Sequence, residues 1–94
     1  MLIIAGSLQV DPAARDGYLA DCAPVIAQAR AADGCLDFLL APDPLEPGRI
    51  HVYERWESAE RLEAFRGSGP DDAQTTAILD ADVRRYVIAA VEEA

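Results

Sequence analysis

The sequence predicts an α+β chain in which a four-stranded antiparallel sheet carries two helices on one face. Three observations lead there. Ile50, Val52, Glu54 and Trp56 alternate with His51, Tyr53, Arg55 and Glu57, the period-two pattern of a half-buried strand. Asp11-Pro12 opens a stretch whose apolar positions recur at helical spacing. Segments of the two kinds follow one another as strand, helix, strand, strand, helix, strand.

Taken in order, Leu2 to Val10 is the first strand, with Ile3 and Ala5 on one face and Leu2, Ile4, Leu8 and Val10 on the other. Both faces are apolar at its start, which implies that both sides of the sheet are covered. Ser7 is the polar exception on the Ile3 face, a core hydroxyl or the edge of a pocket. Asp11 is placed to cap the first helix, and Pro12 falls in the first turn, where its missing amide costs nothing. The helix is expected to run to about Ala32, with Ala14, Tyr18, Cys22, Val25, Ile26 and Ala29 facing the sheet and Arg15, Asp21, Gln28 and Arg30 outside. Pro24 within it predicts a kink between Leu19 and Pro24, because proline removes one backbone bond and clashes with the preceding turn. Gly34 supplies a left-handed stop.

Cys35 to Leu40 is the second strand, and the proline-rich run from Ala41 to Gly48 is an exposed turn. Arg49 to Glu57 is the third strand, close enough to pair with the second as a hairpin. Ser58 caps the second helix, whose residues Leu62 and Phe65 point inward and which ends at Gly67-Ser68-Gly69-Pro70. Further helical turns are expected between Asp71 and Asp80, around Ala73, Ala77, Ile78 and Leu79. Val83 to Val91 is the last strand, with Tyr86 and Ile88 on one face and Val87, Ala89 and Val91 on the other. This order is the split βαβ arrangement of a ferredoxin-like fold in one domain spanning residues 1–94. Its helices cover one sheet face only, so a second copy packed sheet against sheet in a two-fold dimer is expected to cover the other.

Ninety-four residues with 51% apolar content suit a small globular domain. A net charge of −9, from 17 acidic and 8 basic side chains, argues against nucleic acid or an anionic membrane as partner. No apolar run reaches the roughly 20 residues needed to span a bilayer, and the first residues lack the basic flank of a signal peptide, so a cytoplasmic protein is expected. Cys22 and Cys35 lack metal-ligand spacing and read as small buried apolar groups.

The segment Gly34-Cys35-Leu36-Asp37-Phe38, the strand Arg49 to Glu57 with Ser58 after it, and the helix Ala59-Glu60-Arg61-Leu62-Glu63-Ala64-Phe65 resemble the antibiotic biosynthesis monooxygenase (ABM) domain family. The resemblance extends over nearly the whole chain, and its most specific part is Glu54-x-Trp56-x-Ser58 before a short helix. It implies a dimeric α/β barrel with a pocket between the sheet and the helices of each subunit. Some members of this family oxygenate anthrone-like polyketides or quinols without metal or flavin, and others degrade haem. In the oxygenating branch the resemblance assigns a role to Trp56, while the strand asparagine of that branch has no counterpart beside Ile50 and Val52. The haem-degrading branch carries an asparagine near the position of Ser7 and an axial histidine near that of Thr75, and Phe65 stands where another histidine is frequent. Haem degradation is accordingly disfavoured.

A substrate that forms a stabilised anion supplies its own electron to dioxygen, so the protein need only bind a flat ring, assist deprotonation and stabilise charge. Trp56 is the expected catalytic residue, by stacking and by its indole N–H, and equally a candidate for core filling. Ser7, Tyr18, Phe38, Glu54 and Phe65 are the expected substrate-binding residues. Glu54 acts as a base only if burial raises its pKa, and otherwise serves a structural role. His51 is a proton acceptor or a cross-strand or dimer contact. The expected activity is a cofactor-free monooxygenase on an aromatic quinol or polyketide-type molecule, with no metal. A dimeric small-molecule-binding or accessory module without turnover is the alternative.

Overall fold

The computed structural model describes residues 1–67 and 77–94. Among the described residues, β1 (Leu2–Gln9) leads through a 3-10 turn at Pro12–Ala14 into α1 (Arg15–Ala31). The hairpin of β2 (Cys35–Pro42) and β3 (Arg49–Trp56) comes next, then α2 (Ala59–Arg66), and β4 (Asp80–Val87) completes the sheet. All pairings are antiparallel in the order β2-β3-β1-β4, the ferredoxin-like arrangement.

Alternation decides which face is buried. Leu2, Ile4 and Leu8 of β1 and Ile50, Val52 and Trp56 of β3 turn to the helices, and all six are buried. They form two apolar clusters along one layer. Leu2, Ile4, Phe38 and Trp56 pack with Ala29 of α1 and Leu62 of α2, flanked by Ile26, Ala32, Cys35 and Phe65. Leu8, Val10, Ile50 and Val52 pack with Tyr18, Leu19, Leu40 and Ile78. Each fully buried aliphatic side chain stabilises the fold by roughly 1.5–3 kcal/mol, which makes these rows the main source of stability.

Helix ends follow the sequence. The Asp11 side chain accepts from Ala13 N at 2.9 Å, and Ser58 Oγ accepts from Arg61 N at 3.2 Å. Gly34 has φ +86°, a conformation that suits glycine, and its carbonyl accepts the Glu57 amide at 2.8 Å, tying the end of α1 to the end of β3. Gly6 serves a closer approach. A Cβ there would lie 1.9 Å from the Asp82 carbonyl oxygen, so a bare backbone is what lets β4 pair along β1.

Several expectations need correction. The chain passes through a 3-10 turn before α1 begins at Arg15. Ala14 is exposed rather than sheet-facing. Arg15, expected outside, is partly buried, with Nη1 donating to the carbonyls of Asp43 and Glu46 at 3.3 and 2.9 Å. Arg30 is exposed, as expected, and its Nε donates to the Phe38 carbonyl at 2.8 Å. β4 occupies Asp80–Val87 instead of Val83–Val91, because its partner β1 runs out at Leu2, which is paired with Val87. The helical turns expected between Asp71 and Asp80 fall mostly outside the described residues. Within them, Leu79 is exposed and its amide donates to the Gln9 carbonyl at 2.7 Å.

Both helices pack on the face carrying Leu2 and Trp56. The opposite face presents Ile3, Ala5 and Ser7 of β1, His51, Tyr53 and Arg55 of β3, and Tyr86 of β4, as the strand register requires. Among the described residues, no helix is long and apolar enough to cross a membrane.

Candidate functional site

Glu54 and Trp56 are two residues apart on β3, and strand geometry therefore points both at the helices. Glu54 is the one charged side chain buried among the described residues, at 9% exposure, and Trp56 is fully covered at 0%. The Trp56 indole Nε1–H donates to Glu54 Oε1 at 3.0 Å. A carboxyl in an apolar layer is costly unless it is hydrogen-bonded or neutralised, and here the first condition is met by its own strand. Burial pushes the Glu54 carboxyl above its ordinary range, while the indole bond and then the positive charge of Arg66 act in the opposite direction.

Aromatic rings wall this pair. The Phe65 ring centroid lies 5.4 Å from that of Trp56, and Phe38 meets Phe65 edge-on at 6.1 Å. Across the sheet, Glu54 sits beside Ile4 of β1 and Phe38 of β2, and Trp56 beside Leu2 and Cys35. The next helix-facing position of β1 after Ile4 is Gly6, which brings no side chain into the layer. Glu54 thus lies at the seam between the two apolar clusters, with Val52 on one side and Trp56 on the other.

Four of the six residues singled out from sequence, Glu54, Trp56, Phe38 and Phe65, are brought together. Tyr18 packs in the neighbouring cluster with Leu8 and Ile50. It shares a hydrogen bond with Cys22, and its phenol is pushed up to about 12, chiefly by burial, so it stays neutral at physiological pH. Ser7 does not join them. It belongs to the opposite face of the sheet, directly across from His51, because its place in the alternation of β1 is that of Ile3 and Ala5. His51 is on that face too, with Nε2 2.5 Å from Asp43 Oδ1.

Sequence reasoning missed Arg66 as the neighbouring charge and Gly6 as the point where β4 closes on β1. The signal for Gly6 was present, since glycine interrupts an otherwise apolar row. Neither thiol is in a disulfide, and both are raised above their ordinary range, foremost by burial, which makes them poor nucleophiles. Among the described residues, no group of His, Cys, Asp and Glu could hold a metal ion.

Solved structures share this architecture. A protein assigned to the antibiotic biosynthesis monooxygenases in Deinococcus radiodurans superimposes with a TM-score of 0.75 at 20% identity, covering 100% of this chain and 98% of that one. One from Chloroflexus aurantiacus, similarly assigned, gives 0.77 at 23% identity over 98% and 96% of the two chains. A Mycobacterium tuberculosis protein gives 0.71 at 27% identity over 99% and 96%. No curated protein matches the chain. The profile of the antibiotic biosynthesis monooxygenase family matches residues 1–77, across both helices and the Glu54–Trp56 strand, and the chain therefore belongs to that family.

Proposed function

We propose that this protein is a cofactor-independent monooxygenase acting on an aromatic quinol or polyketide-type small molecule at the seam beside Glu54 and Trp56. The observation that carries the reading is a buried carboxyl bonded to an indole and walled by Phe38 and Phe65. Such a place suits a flat aromatic ring with an acidic hydrogen. In the overall reaction the activated CH2 group of an anthrone-type substrate and dioxygen give a carbonyl and water, or a hydroquinone and dioxygen give a hydroxyquinone and water, one oxygen atom going to each product. The substrate anion supplies the electrons, so the scheme calls on no cofactor.

The working unit in this reading is a homodimer packed sheet against sheet. The helix-free face carries Ile3, Ala5, Tyr53 and Tyr86, and Arg55 Nε on the same face is shielded and has no hydrogen-bond partner among the described residues. A second copy would cover the apolar groups and offer acceptors. A light-scattering mass of one subunit at micromolar concentration would exclude this arrangement.

Oxygen uptake against a panel of anthrones and hydroquinones tests the activity. Uptake above the spontaneous rate is expected. A folded protein that binds an aromatic ligand without uptake would instead be a binding module.

A further inference from the structure

Resting on the reading above, we infer that Glu54 is the proton acceptor of this site and that Trp56 is a positioning residue, which holds the carboxylate instead of stacking on the substrate. Trp56 is fully covered, its ring is already packed against Phe65, and its N–H is engaged by Glu54 Oε1. An indole so committed has neither a free face nor a free donor for a ligand. The indole engages Oε1, and in this assignment Oε2 meets the ligand hydroxyl.

The step is a single proton transfer. The O–H bond of a bound phenol or hydroquinone breaks, its electron pair stays on the ring oxygen as phenolate, and the proton goes to a Glu54 carboxylate oxygen. A base works best when its pKa lies near the operating pH, and burial moves Glu54 in that direction. Tyr18, held neutral beside Cys22, cannot take the role, and His51 is on the other face of the sheet.

The test uses para-nitrophenol, whose phenolate absorbs where the phenol does not, together with oxygen uptake on a hydroquinone. At mildly acidic pH, probe bound to the wild-type protein is expected to show the phenolate band and probe bound to Glu54→Gln is not. Glutamine keeps the volume of the side chain and an amide oxygen for the indole, and a thermal melt confirms that the variant folds. Uptake is expected to fall by about 100-fold or more in Glu54→Gln. In Trp56→Phe the pH at which the phenolate band develops is expected to rise, because the bond that lowers the Glu54 pKa is gone, a change that simple loss of packing would not produce.

Equal phenolate fractions in wild type and Glu54→Gln, or no binding of the probe, would overturn the assignment whatever the uptake result. A Glu54-dependent phenolate band without oxygen uptake would keep the assignment and remove the oxygenase reading. Should Glu54→Gln not fold, Glu54→Asp replaces it: a weakened band supports the role, and one equal to wild type overturns it.

Discussion

Asp43 Oδ1 meets His51 Nε2 at 2.5 Å across the β2–β3 hairpin, while Asp43 Oδ2 accepts the amides of Leu45 and Glu46 at 2.9 and 2.8 Å. The turn is therefore folded around one carboxylate. The His51 bond first, then the two amides, hold that carboxyl well below its ordinary range. A group with a depressed folded pKa stabilises the fold above its unfolded value, and that stability is lost as pH falls below it. Asp43→Asn is expected to melt lower than wild type at neutral pH, and the gap should close as pH drops through and below 3.8. Paired thermal melts across this range check the sign.

Glu54 has the opposite sign. Its folded pKa is raised above 4.5, so between 4.5 and the folded value the native state binds the extra proton and stability falls as pH rises. Glu54→Gln does not titrate. It is expected to melt above wild type at neutral pH, with the advantage shrinking as pH approaches 4.5 and no further change below. Melts over the acid range decide this, and a variant less stable at neutral pH would contradict it.

Trp56→Phe removes a donor and part of a fully covered ring from the larger cluster. The expected loss is about 1–3 kcal/mol. In a domain of this size each kcal/mol lowers Tm by roughly 4–8 °C. A melt unchanged within error would show that the indole does not support the core.

Gly6→Ala puts a methyl group where the Asp82 carbonyl stands. β4 is then expected to separate from β1 at Gly6–Val83, and amide exchange in Asp80–Val87 should accelerate while the β2–β3 hairpin keeps its protection. Uniform protection across all four strands would refute the steric argument.

Much of this fold is legible in the sequence. The Ile50, Val52, Glu54, Trp56 row announced its buried face because polar residues alternate with it so regularly, and it placed a carboxyl and an indole together in the layer. The Asp11, Gly34 and Ser58 signals held because caps depend on local chemistry. β4 was misplaced because every residue from Asp80 to Val87 is exposed in this chain, so burial leaves no pattern in its sequence and its limits come from the length of β1. Ser7 was read on the correct face and still assigned to the pocket, although the period of the strand sends it away from Trp56. Arg15 reads as a solvent residue because sequence does not reveal that carbonyls of the hairpin turn come within reach of α1.

β1, the first element in the chain, is an interior strand, paired on one side with β3 and on the other with β4. An N-terminal strand in that position cannot be satisfied by what immediately follows it. Its first partner arrives only after a helix and another strand, and its second comes after α2, near the end of the chain. Folding must close two long loops before Ile4 and Leu8 are enclosed, which is the costly kind of pairing, slow to nucleate and exposed to mispairing while it waits.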